Sequence, residues 1–247
     1  DGADVNALTL TGGVLTLNGD VESDGALDFT SVDSITLGGN VVITGDDAGT
    51  KKDITFDAAN VITGANTLSL VGDTVTLHQV GDGTTDPTQL TVTAGTSLSL
   101  NNNLTIDGAI DLDANVAAIA LAANSVIDGS GGTNTAIALA DVTGDFDLTL
   151  TGDGTASGSA ITLDGADVDA LALTGGVLTL NGDIESDGVL DFTSVDSITL
   201  GGNVVITGDD AGTKKDITFD AANVITGANT LSLVGDTVTL HQVGDGT

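Results

Sequence analysis

The sequence predicts an all-β fold, a single continuous parallel β-helix (β-solenoid), on three observations. Short apolar–polar–apolar triplets recur along the whole chain, each reading as a half-buried strand with period two. Gly, Asn and Asp separate them at short intervals, as tight corners require. The stretch from Asp1 to Thr84 returns as Asp164 to Thr247 with four changes: Asn6 to Asp169, Thr9 to Ala172, Val21 to Ile184 and Ala26 to Val189. Residues 1–163 therefore form one full tandem unit, and residues 164–247 form the first half of a near-identical second one. No Pro-rich or Ser-rich linker interrupts the pattern. A coil in which each turn templates the next accepts such repetition, whereas a row of sandwiches would need linkers and caps.

In chain order, Leu8-Thr9-Leu10 leads to Gly12-Gly13, and Leu15-Thr16-Leu17 leads to Asn18-Gly19. Next come Leu27-Asp28-Phe29, Ile35-Thr36-Leu37 and Ile54-Thr55-Phe56. Leu68-Ser69-Leu70, Val75-Thr76-Leu77, Leu90-Thr91-Val92 and Leu98-Ser99-Leu100 continue the series. Leu104-Thr105-Ile106, Ile110-Asp111-Leu112, Ile137-Ala138-Leu139, Leu148-Thr149-Leu150 and Ile161-Thr162-Leu163 complete the unit. The run Val116 to Ala123 has the composition of a helix. Ile119 and Leu121 nevertheless keep the alternation, so it too is expected to be strand. Gly81 to Pro87 and Gly152 to Ser159 read as longer excursions. About seven rungs of roughly 23 residues would fill a unit and advance it by roughly 34 Å.

Composition narrows the function. Hydrophobic residues make up 40% of the chain but aromatics only 2%, all Phe, so the core is aliphatic. Thirty-six acidic residues against four Lys leave a net charge of −32, which excludes phosphate recognition and so argues against nucleic acid as a partner. Cys is absent, which rules out disulfides and thiolate metal sites. No apolar run of 18 residues is present, so no membrane insertion is expected of this segment. The chain opens on Asp without a basic-then-apolar leader, and any signal peptide is expected outside it.

Acidity has two readings, solubility and divalent cation binding. The calcium candidates are the corner carboxylates Asp46, Asp47, Asp209 and Asp210, because Ca²⁺ takes six to eight oxygens from carboxylates and carbonyls. Asp82-Gly83, Asp128-Gly129, Gly152-Asp153-Gly154 and Asp245-Gly246 are similar corners. Neither the nonapeptide of calcium-loaded β-rolls nor an EF-hand loop recurs, and Asp is a good turn former in its own right. Glu22, Asp24 and Asp28 could pair as carboxylates for glycoside cleavage. Without Arg or an aromatic platform to hold a sugar, no catalysis and no cofactor are expected. His78 and His241 are copies of one solvent-facing strand position. Lys51-Lys52 and Lys214-Lys215 follow acidic corners and are expected to pair locally with Asp46, Asp47 or Asp53. Outward Thr rows could order ice, but varying rung length is expected to break their alignment.

Phrases such as Gly13-Val14-Leu15-Thr16-Leu17-Asn18-Gly19 and Leu70-Val71-Gly72-Asp73-Thr74-Val75-Thr76-Leu77 resemble the passenger regions of filamentous-haemagglutinin-like adhesins and autotransporter-type bacterial surface exoproteins. The resemblance implies a right-handed parallel β-helix, extracellular or cell-surface display, and a fibre. Its expected role is structural or adhesive, with partners in self-association along or between fibres and in other cells or surfaces. The alternative is a solenoid that binds calcium, carbohydrate or ice.

Overall fold

A computed structural model describes residues 3–6, 8–113, 115–132, 135–153 and 160–244. All regular structure among them is β, and the strands join in one continuous coil. Leu68-Ser69-Leu70 shows why. Both leucines are sealed inside while the serine lies at the surface. Each leucine then sits directly over the apolar residue of the turn before it, Val41 and Ile43, and under that of the turn after it, Leu90 and Val92. Parallel pairing satisfies the backbone along the axis, and the buried column removes aliphatic surface from water at about 25 cal/mol per Å².

The coil has three faces. Residues 21–23 lie on the first, Leu27–Asp28 on the second and Ser34–Leu37 on the third, after which Val41–Asp47 returns to the first. Turn length varies between 17 residues (Ala160 to Val177) and 27 (Ile35 to Ile62). The faces keep their register throughout, and the difference is taken up at the corners. Some triplets that the sequence separates are one strand bent around a corner. Thr67–Leu77 runs from the first face to the second with a register shift between Gly72 and Thr74, and Gln89–Leu100 follows it. In the Ala-rich run the strand is confined to Ile119–Leu121, because Val116 belongs to a turn in which its amide donates to the Asp113 carbonyl.

Seven parallel pairings carry the first face from Ala3–Val5 to Ala160–Leu163. The residues that repeat Ala3–Val5, numbers 166–168, pair instead with 142–144 on the second face. One tandem unit is therefore seven turns and one face of three, and the second copy is set one face around from the first. Within each copy the register is the same: Val21 pairs with Ile43 as Ile184 pairs with Ile206, and Leu27 with Ile54 as Leu190 with Ile217. Leu8, Leu10 and Leu15 are only partly buried, while their counterparts Leu171, Leu173 and Leu178 are sealed against the preceding turn.

At one corner the chain requires glycine. Gly64 has φ of 115° and a Cβ there would lie 2.4 Å from the Leu37 carbonyl oxygen; Gly227 repeats this against Leu200. Phe29 and Phe56 stack inside on successive turns, ring centroids 4.9 Å apart, and Phe192 and Phe219 do the same. Substituting Phe56→Ala opens a cavity above Phe29 and is expected to cost about 3–5 kcal/mol. A urea midpoint that barely moves would mean that neighbouring turns collapse to fill the space.

Candidate functional site

Asp and Asn at the corners do a specific job. A strand that begins at a corner presents an amide with no carbonyl beneath it, and a side chain of the previous turn supplies the acceptor. Val42 donates to Asp20 Oδ1 at 2.8 Å and Val205 to Asp183 Oδ1 at 2.7 Å. Thr74 donates to Asp53, Thr237 to Asp216, Thr67 to Asn40, Val126 to Asn103 and Thr230 to Asn203. Other carboxylates close their own turns. Asp82 Oδ1 accepts from Thr84 and Thr85, and Asp86 Oδ1 accepts from Asp82 and Gly83 in the excursion that ends at Pro87. The backbone amides of Thr85 and Thr84 hold the Asp82 carboxyl below its ordinary range. The Thr30 hydroxyl and amide do the same for Asp28.

The calcium candidates sit on an antiparallel arm that leaves the wall between the first and second faces. Asp46 pairs in register with Lys51 and Asp47 with Thr50, and the turn passes through Ala48 (φ 51°) and Gly49 (φ 88°). Two successive positive φ angles make the type I′ connection that suits the twist of a hairpin, with Ala in a place that favours Asn or Gly. Its sequence, Asp-Asp-Ala-Gly, lacks the usual signal, so the arm is visible only in the structure. Asp46 Oδ1 accepts the Gly49 amide, and Asp47 pairs with Lys52 Nζ at 3.7 Å. In the second copy Asp209 accepts from Gly212 and Asp210 pairs with Lys215 at 3.3 Å. The salt bridges match the local pairing expected of the lysines. Among the described residues no group of three His, Asp or Glu converges in a way that could hold a metal ion. Asp245 and Gly246, and residue 154 of the corner at 152–154, lie outside the described residues.

Glu22 and Asp28 stand on different faces, and Asp24 lies at the corner between them, where its amide donates to the Val5 carbonyl. His78 follows a strand end half-buried, and its counterpart His241 is exposed. The outward Thr positions do align, against the expectation from rung length, because length varies only at corners. Thr162, Thr179, Thr199 and Thr226 form one column, which gives way to Ala138 and Asp111 in earlier turns.

An open groove of about 470 Å³ lies where the second copy meets the first, lined by Asp141, Asp164, Asp167, Asp183, Glu185 and Asn203 among others. Beside it Asp113 is pushed above its ordinary range by burial, by a shared hydrogen bond with Asp164, and by repulsion from Asp164 and Asp111. Asp169 is likewise raised, first by desolvation and then by Asp187, Asp145, Asp147 and Asp210; the first copy has Asn6 at this position. No family profile, curated protein or solved structure matches the chain.

Two tests address these corners. Asp183→Ala removes the acceptor beneath the Val205 amide and is expected to cost about 1 kcal/mol, while Asp183→Asn keeps an acceptor and most of the stability. Equal losses in both variants would point to charge rather than to the hydrogen bond. Because Asp113 is raised in the folded state, its contribution is complete below the ordinary carboxylate value of about 4 and is lost as pH rises through the folded value. Asp113→Asn is therefore expected to gain stability relative to the parent as pH climbs from about 4 towards 7. Urea midpoints that run parallel across this range would remove the shared-proton account.

Proposed function

We propose that the chain is a stretch of shaft from an extracellular structural or adhesive fibre. Its length would be set by the number of tandem units. One observation carries the reading. The second copy begins on the last turn of the first without a linker, repeats its register, and buries Leu171, Leu173 and Leu178 against that turn. Tandem units of this kind extend a rod and leave no closed globule between them. Continuous inter-turn hydrogen bonding and an uninterrupted aliphatic core stiffen such a rod, and the acidic surface keeps neighbours apart or lets cations bridge them. The resemblance of phrases such as Gly13-Val14-Leu15-Thr16-Leu17-Asn18-Gly19 to filamentous-haemagglutinin-like adhesins and autotransporter passengers supports the same role, and cell-surface placement would follow from it. Partners would then be other copies along or between fibres, or the surfaces of other cells.

The calcium, carbohydrate or ice-binding alternative rests on the aligned Thr column and on the acidic arms. Saturable calcium uptake with a fixed number of ions per unit, or thermal hysteresis, would favour it over a plain shaft. For the shaft, images of the intact material should show a thin, unbranched filament with axial strand spacing near 4.8 Å. Units should recur about every 35 Å, and the arm should return to one azimuth only after three units, about 106 Å. Compact beads joined by linkers would refute the reading.

A further inference from the structure

The first face alone contains twelve strands joined by eleven parallel pairings among the described residues. At about 4.8 Å per step the coil is about 53 Å long. Its net charge of −32 then amounts to one charge per roughly 1.7 Å of axis, the linear density of double-stranded DNA. Two unit charges in water interact with thermal energy at about 7 Å, so charges this close must hold condensed counterions. The arrangement spreads the charge in both directions. Corner carboxylates such as Asp20, Asp53, Asp183 and Asp216 are held at fixed levels by the amides they accept. The one-third-turn offset places each copy's acidic positions on a different face from those of the copy before. Charge therefore surrounds the rod, and the described residues offer no converged metal group that would localise it.

We propose that this rod is a polyanion in the sense that nucleic acid is, and that its partner is a flexible, lysine-rich peptide. The peptide is held along the axis by release of condensed cations and not by a site. The acidic arm is one contributor among many, and the reading concerns the charged coil whether or not it forms part of a fibre.

The test uses the 247-residue chain and fluorescein-labelled octalysine, with anisotropy read at pH 7 between 50 and 200 mM NaCl. Release of about one cation per lysine predicts a slope of log affinity against log salt near −7, a loss of about 10³- to 10⁵-fold across that range. The fourfold variant Asp46→Asn, Asp47→Asn, Asp209→Asn, Asp210→Asn keeps acceptors for the Gly49 and Gly212 amides. It should bind octalysine within about threefold of the parent, with a nearly unchanged slope. A slope shallower than about −2 would overturn the proposal. So would abolition of binding in the fourfold variant while its circular dichroism matches the parent, since that marks a local site. Either failure leaves the shaft reading standing, and beaded images would remove the shaft without touching the salt slope.

Discussion

The hydrogen bond from each strand to the strand one turn below is the constraint on which everything else rests. It demands that residues stack in register at a fixed axial step, whatever the chain does between strands. Turn length nevertheless runs from 17 to 27 residues. The two facts coexist because every inserted residue is expelled at a corner, as a bulge near Gly72, as the loop that ends at Pro87, or as the arm through Ala48 and Gly49. The aliphatic column follows from the same stacking. Leu70 is buried because it points into a core shared by all three faces, with Ile43 and Val92 directly below and above it.

Acidity has a structural share that composition conceals. A parallel coil with irregular corners generates amides that find no carbonyl beneath them, and leaving such a donor unpaired is costly. Asp53 serves Thr74 twenty-one positions later, and Asn40 serves Thr67 twenty-seven positions later. Asp and Asn are the shortest side chains able to reach across one turn and accept. Part of the negative charge is thus tied to the way this backbone closes, and the electrostatic repulsion it brings is tolerated along the rod.

Much of the fold was legible because period-two alternation and near-identical duplication are strong signals. The triplets named from sequence supply the inward residues, and about seven rungs per unit compares with seven and one-third. Other features were not legible, for identifiable reasons. The arm carries no Asn-Gly, so nothing in Asp-Asp-Ala-Gly announces a hairpin. The capping role of Asp20 towards Val42 depends on a spacing of 22 residues that has meaning only once the turn length at that level is known. Alignment of Thr162, Thr179, Thr199 and Thr226 was hidden for the same reason: unequal spacing in sequence looks like misalignment until the corners are seen to absorb it.

The fraction of a turn left over in each unit has a consequence for inheritance. Near-identical tandem copies invite unequal recombination, which adds or removes whole units. Loss of one unit would shorten the rod and also swing everything beyond the deletion through a third of a circle. Only changes in multiples of three would preserve the bearing of whatever the far end carries. In an array that gained or lost units, length and heading would thus be coupled, and each change of length would also turn a dial with three positions.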